Sequence, residues 1–172
     1  MRNQIESIED KRSTGIEQYL TFQMAGKLYG LEILNIKEII EYGDLTEVPM
    51  TPDFISGVIN LRGRVVPVID LGHRFAGRSV IPTKRTSIII FEVKTSDLQI
   101  ELGITVDMVN EVLDINNGDI EPAPSFGDQI DTTFISGMAK VDGKFLILLN
   151  IENVMSVDEF SIVGSIQSSA KK

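Results

Sequence analysis

Phe54-Ile55-Ser56-Gly57-Val58-Ile59-Asn60-Leu61-Arg62-Gly63-Arg64-Val65-Val66-Pro67-Val68-Ile69-Asp70-Leu71 returns 80 residues downstream as Phe134-Ile135-Ser136-Gly137-Met138-Ala139-Lys140-Val141-Asp142-Gly143-Lys144-Phe145-Leu146-Ile147-Leu148-Leu149-Asn150-Ile151. The first four residues are the same in both stretches. Gly63 then matches Gly143, Arg64 matches Lys144, Asp70 matches Asn150, and two apolar runs, 65–69 and 145–149, fall in register. Four shared residues could be chance, but a register held over the next 14 positions indicates an internal duplication. Upstream, Ile33, Ile36, Glu38 and Ile39 reappear as Val106, Val109, Glu111 and Val112, now 73 residues apart. The second copy therefore carries about seven extra residues, placed within 116–131.

Each copy reads as β-rich. Residues 19–24 and 29–33 cluster apolar side chains around Ala25-Gly26-Lys27, a hairpin pattern, and 86–93 with 98–106 repeat it across 94–97. Apolar residues three apart in 35–39 and 107–112 suggest a single helical turn leading into a third strand. Residues 57–61 and 64–71 are the last two strands of the first copy, and Asp142-Gly143 marks the matching hairpin turn in the second. The runs 65–69 and 145–149 lack alternation, so both faces of each strand are expected to be buried. Pro67 has no N–H to donate and is expected at a sheet edge or bulge. Short helical pieces are expected at 70–76 and 150–156. The outcome is an all-β chain with a small barrel in each half, 18–85 and 86–157, between a frayed N-terminal tail, 1–17, and a polar C-terminal segment, 158–172.

Composition narrows the function. The 172 residues contain no cysteine, which excludes disulfides and thiolate metal sites and fits a reducing compartment. The chain has no apolar run of about 18 residues and no apolar core in its charged N-terminal stretch, so neither a membrane span nor a signal peptide is expected. The expected location is therefore cytoplasmic. A formal net charge of −9 opposes nucleic-acid binding, as does the lack of an aromatic stacking stripe. Charge is uneven, however: residues 60–86 hold Arg62, Arg64, Arg74, Arg78, Lys84 and Arg85 against Asp70 alone. That window is either a docking patch for an acidic protein surface or a set of scattered solvated charges.

Catalytic patterns fail on inspection. His73 is the only histidine, and Ser56 and Ser136 have Phe54 and Phe134 where a nucleophile elbow requires glycine. The stretch from Gly72 to Ser79 imitates a phosphate-binding loop, but Arg78 replaces its lysine and Pro82 interrupts any following helix. Residues 114–119 imitate a calcium loop with Gly118 at a ligand position and Ser125 in place of the closing glutamate, so a turn is the better reading. No catalytic site, cofactor or metal is expected.

Several stretches together resemble the signatures of the CheW-like family of bacterial chemotaxis coupling proteins. They are residues 29–39 (Tyr-Gly-Leu-Glu-Ile-Leu-Asn-Ile-Lys-Glu-Ile), 57–71, 103–107, Glu121-Pro122-Ala123-Pro124 and 146–151. The sharpest is Asn60-Leu61-Arg62-Gly63 followed by Val66-Pro67-Val68-Ile69-Asp70-Leu71, and the resemblance spans about 18–157. It implies two five-stranded SH3-like β-barrels in pseudo-twofold arrangement, with short helices. It also implies a non-enzymatic adaptor that couples the cytoplasmic hairpin tip of a chemoreceptor to the regulatory domain of the histidine kinase CheA. Such an adaptor is cytoplasmic, is recruited to membrane arrays through its partners, and neither inserts in the membrane nor binds nucleic acid.

Arg62 is singled out twice. If its turn repeats the Asp142-Gly143 geometry, Arg62 lies at positive φ, which costs a non-glycine residue roughly 1 kcal/mol. Either the guanidinium is used, or this is an ordinary exposed turn arginine. The resemblance assigns it to receptor and kinase coupling, and Asn60 and Gly63 of the same motif join it in the expected partner-binding set. Ile33 is expected in the core. Ile36, Glu38 and Ile39, whose spacing alone suits a core, are implied by the resemblance to border the interface. Gly57 and Gly63 either permit special backbone geometry or let a partner approach closely. Val106 and Met108 complete the partner-binding set, although a methionine there could equally fill a core gap. The competing readings are a hydrolase or transferase built on His73, a nucleic-acid-binding barrel, and, within the family, a coupling domain cut from a coupling–receiver fusion or from the kinase itself. The polar, lysine-ended tail favours a stand-alone coupler.

Overall fold

The structure, a computed structural model, describes residues 15–43, 45–49, 55–76, 81–94, 99–122 and 134–150. In chain order the described strands are β1 (Ile16–Met24), β2 (Lys27–Glu32), β3 (Ile36–Glu41), β4 (Ile55–Leu61), β5 (Arg64–Asp70), β6 (Ser87–Lys94), β7 (Gln99–Val106), β8 (Met108–Asn116), β9 (Ile120–Glu121), β10 (Ile135–Val141) and β11 (Lys144–Leu149). One helix, α1 (Leu71–Ala76), follows β5, and Asp70 Oδ1 caps it by accepting from the His73 N–H at 3.0 Å. The second expected helix, 150–156, lies outside the described residues except for Asn150, which is not helical.

Two sheets form, in the orders β3-β6-β7-β5-β4 and β8-β1-β2-β11-β10-β9. They share one plan. A parallel pair joins β5 to β7 in the first and β11 to β2 in the second. The antiparallel hairpins β4–β5 and β10–β11 each carry a register shift, at Ile55/Gly57 and Ile135/Gly137. Each sheet also closes on itself. The chain leaving β3 bridges Thr46 to Val58 of β4, and the chain leaving β8 forms β9 against β10. The all-β class and the pair of small barrels follow from this plan.

The compact units are not the consecutive halves 18–85 and 86–157. Among the described residues, 23–26 and 35–109 form one unit, while 15–22, 27–34 and 110–150 form the other. A tandem duplication reveals its period but not its phase. Phase is set by which hairpin each three-strand segment takes up: β3–β5 takes the hairpin that follows it, and the parallel pairing of β11 with β2 joins the last described strand to the first hairpin. We call these the central unit and the terminal unit.

Each unit has its own apolar core. In the central unit Val66, Val68, Ile88 and Ile90 are fully buried, with Ile40, Tyr42, Leu45, Ile59 and Leu61 packed on them. In the terminal unit Tyr19, Ile115, Ala139, Leu146 and Leu148 play that part. Burying each such aliphatic side chain stabilises the fold by about 1.5–3 kcal/mol.

Several local expectations are corrected. The helical turn in the first copy is a 3-10 turn at Ile33–Asn35, and Ile36–Glu41 is a strand. Ile33 is only half-buried on that turn. In the second copy β8 starts at Met108, directly after a bend, with no helical turn. Pro67 sits in the interior strand β5 rather than at an edge or in the bulge. Its missing N–H is not needed there, because its partner Val58 spends both backbone groups on Thr46 and the ladder to β7 starts one residue later, at Val68. The run 65–69 is buried from Val66 on, but in the second copy Phe145 is 60% exposed and only Leu146, Leu148 and Leu149 are buried. An unbroken apolar run does not separate a strand buried on both faces from one that alternates.

Candidate partner-binding surface

The turn between β4 and β5 has both central residues at positive φ, Arg62 at 53° and Gly63 at 85°. This is the type I′ pattern, whose twist matches that of the flanking strands. Its repeat partner has nearly the same angles, Asp142 at 51° and Gly143 at 79°. Asn60 supports the turn from within: its Oδ1 accepts the Gly63 N–H at 3.0 Å.

Arg62 uses the conformation to reach β3. Its two terminal nitrogens donate to the two carboxylate oxygens of Glu38 at 2.9 and 3.2 Å, a bidentate pair. Arg62 is 73% exposed along its side chain and Glu38 is 24% exposed. An exposed pair of this kind contributes about 0.5 kcal/mol, less than the backbone strain it accompanies. Ile39, next in the chain, is 43% exposed, and Ile36 is half-buried where β3 breaks register between Ile36 and Glu38.

The structure separates the remaining candidates. Gly57 is buried, and a Cβ there would lie 2.8 Å from the Thr46 carbonyl oxygen, so the close approach is by the chain's own backbone. Val106 is fully buried at the end of β7 and presents nothing to a partner. Met108 is half-buried, with its sulfur 3.7 Å from a guanidinium nitrogen of Arg85. Of the nine candidates, Asn60, Arg62 and Gly63 are exposed at the turn with Glu38 half-buried beside them, Ile36 lies on the same face of β3 as Glu38, and Ile39 is exposed on the opposite face.

A charged row near this group was not anticipated. Lys37 Nζ lies 2.8 Å from Glu92 on β6 and 2.7 Å from Glu101 on β7, and the same Glu101 oxygen takes an Arg64 nitrogen at 2.5 Å. Gln99 donates to the other oxygen of Glu92. Hydrogen bonds from Lys37 hold the Glu92 carboxyl below its usual range, helped by the nearby charges and by Gln99 and opposed by burial. The bonds to Glu101 and Glu92 push the Lys37 ammonium up. A signal did exist in the sequence. Glu92 and Glu101 are single acids inside apolar strands, and the register sets them opposite each other, an arrangement that needs cations.

The family model described as the CheW-like domain matches residues 18–159. The chain belongs to the CheW-like family. It is 36% identical over 153 residues to the chemotaxis protein CheW of Klebsiella aerogenes, covering 89% of this chain and 90% of that protein. The Thermotoga maritima chemotaxis protein CheW is 33% identical over 146 residues, covering 80% of this chain and 87% of its own length. Among solved structures, the scaffolding protein TtCheW from Thermoanaerobacter tengcongensis superposes with a TM-score of 0.73 at 38% identity, over 83% of this chain and 90% of that one. In this CheW-like chain no helix among the described residues is long and apolar enough to cross a membrane.

Proposed function

We propose that this chain is a chemotaxis coupling scaffold that joins the cytoplasmic tip of a chemoreceptor to the regulatory domain of the chemotaxis histidine kinase CheA without catalysing a reaction. Relatives of nearly the same length are chemotaxis proteins, and the solved neighbour is described as a scaffolding protein. The observation that carries the reading is the exposed pair Arg62–Glu38 beside exposed Ile39. A strained arginine tied to β3, and an unburied isoleucine on the other face of that strand, are features the fold itself does not need. On this reading the protein works in the cytoplasm and reaches the membrane array through its partners.

Calorimetric titration with the C-terminal regulatory domain of the cognate kinase tests it. A saturable one-to-one isotherm is expected, with micromolar affinity typical of small transient interfaces. Glu38→Lys and Ile39→Asp should each abolish binding to at least one of the two partners. No heat and no co-elution for the wild type at tens of micromolar would defeat the proposal.

A further inference from the structure

Glu101 connects β3, which carries Glu38, to β5, which opens at the turn that presents Arg62. Its Oε2 accepts from Lys37 at 2.7 Å and from Arg64 at 2.5 Å. Lys37 precedes Glu38 and is the extra residue at the β3 register shift, where Ile36 faces Phe91 but Glu38 already faces Ile90. Arg64 lies two residues after Arg62 and opens β5. A bulge re-aims the side chains next to it, so what holds Lys37 decides where Glu38 points. What holds Arg64 fixes the base of the turn that presents Arg62. One carboxylate oxygen, Glu101 Oε2, joins the two, with Glu92 a second partner of Lys37 alone.

Glu101 is suited to this. Its side chain is 10% exposed, against 40% for Lys37 and 41% for Arg64. A shielded charge interacts more strongly than one in open water. Glu101 lies on β7, in the middle of the sheet between β6 and β5, so it is a fixed reference for the outer strand β3.

We infer that Glu101 is a positioning residue for the partner surface: by holding Lys37 and Arg64 together it sets the geometry of the Arg62–Glu38 pair without touching a partner. The inference rests on the coupling reading above, and its test separates the two. Glu101→Gln keeps the shape and removes the charge. Its affinity for the kinase regulatory domain should fall about fivefold, and the fall should vanish when Arg62→Ala is already present, because residues acting through one contact are non-additive. A loss that persists in the Arg62→Ala background marks a general structural effect and overturns the inference, as does unchanged affinity. A readout without partner is rotation about the Arg62 Nε–Cζ bond, followed by NMR, which a bidentate pair slows. Glu101→Gln should speed it severalfold; an unchanged rate overturns the inference even if the kinase domain proves not to bind. Should Glu101→Gln not fold, Arg64→Gln, at a part-exposed side chain, breaks one arm and should give the same two changes at about half the size on a logarithmic scale.

Discussion

The turn at Arg62-Gly63 and the turn at Asp142-Gly143 are the same backbone put to different uses. Their φ angles agree within a few degrees, and each closes an antiparallel hairpin between equivalent residues, Leu61 with Arg64 and Val141 with Lys144. In the terminal unit the turn holds aspartate, which tolerates the left-handed region, and the counterpart of Glu38 is the exposed acid Glu111. Two acids cannot pair. In the central unit an arginine takes the strained position, an asparagine supports it, and an ion pair runs to β3. Duplication supplied the geometry twice, and side-chain substitution gave one copy an ion pair to its third strand that the other lacks the charges to form.

The closing contacts offer the largest break in that equivalence. A Cβ on Gly57 would meet the Thr46 carbonyl oxygen at 2.8 Å and Leu45 Cβ at 3.1 Å, and neither can retreat without breaking the bridge that closes the barrel. On Gly137 the nearest atom is Ile120 Cγ2 at 2.6 Å, a methyl on the branched Cβ that can move aside only by a turn about χ1 or a shift of β9, with the Glu121 oxygen at 3.0 Å. Gly57→Ala should therefore destabilise by about 3 kcal/mol and Gly137→Ala by about 2 kcal/mol. Urea unfolding midpoints would show it, and an equal or reversed ranking would mean that the two closures are not built as described.

Exchanging the turn residues sharpens the comparison at smaller cost. Arg62→Asn relieves about 1 kcal/mol of backbone strain and forfeits a pair contributing about 0.5 kcal/mol, so stability should hardly move. Affinity for the kinase regulatory domain should nonetheless fall about tenfold, the effect of removing a central contact. Asp142→Arg should lower stability by about 1 kcal/mol and leave that affinity intact. If Asp142→Arg weakens binding as much as Arg62→Asn, the two turns are equivalent in function as well as in shape.

The duplication was legible because register survives substitution, and positive φ at Arg62 followed from its alignment with Asp142. The phase of the units was not, since a period carries no statement of which hairpin pairs with which strand. The strand at Ile36–Glu41 read as a helical turn for a definable reason. Burial alternates along Ile36–Glu41, but a glutamate at the half-buried position 38 and an isoleucine at the exposed position 39 break the apolar alternation and leave isoleucines three apart. Val106, expected in the partner-binding set, instead ends the strand most completely buried in the central unit. The row through Glu101 was missed because acids in an acidic chain read as solvated until the register sets Glu92 and Glu101 side by side.

That row also separates the units by pH. The position 73 residues before Glu101 is Leu28, which packs on the apolar core of the terminal unit, so an ion cluster in one copy stands where the other has hydrocarbon. Glu92, held ionised by Lys37, adds stability that is complete above its unfolded value of about 4.3 and is lost as pH falls through its lower folded value. Lys37 has the opposite sense, its contribution being complete below about 10.4 and lost as pH rises beyond its raised folded value. Glu92→Gln should accordingly cost no more than about 1 kcal/mol at neutral pH. The gap between its urea midpoint and that of the wild type should stay constant from pH 7 to about 5 and close towards pH 3. Amide exchange would locate the change: acidification should speed exchange in β3 and β6 of the wild type before it does so in β2 and β11. Exchange that quickens equally in both units would mean that the Glu92–Lys37 pair adds no acid-sensitive stability to the central unit, and the contrast between the copies would then be confined to the turns.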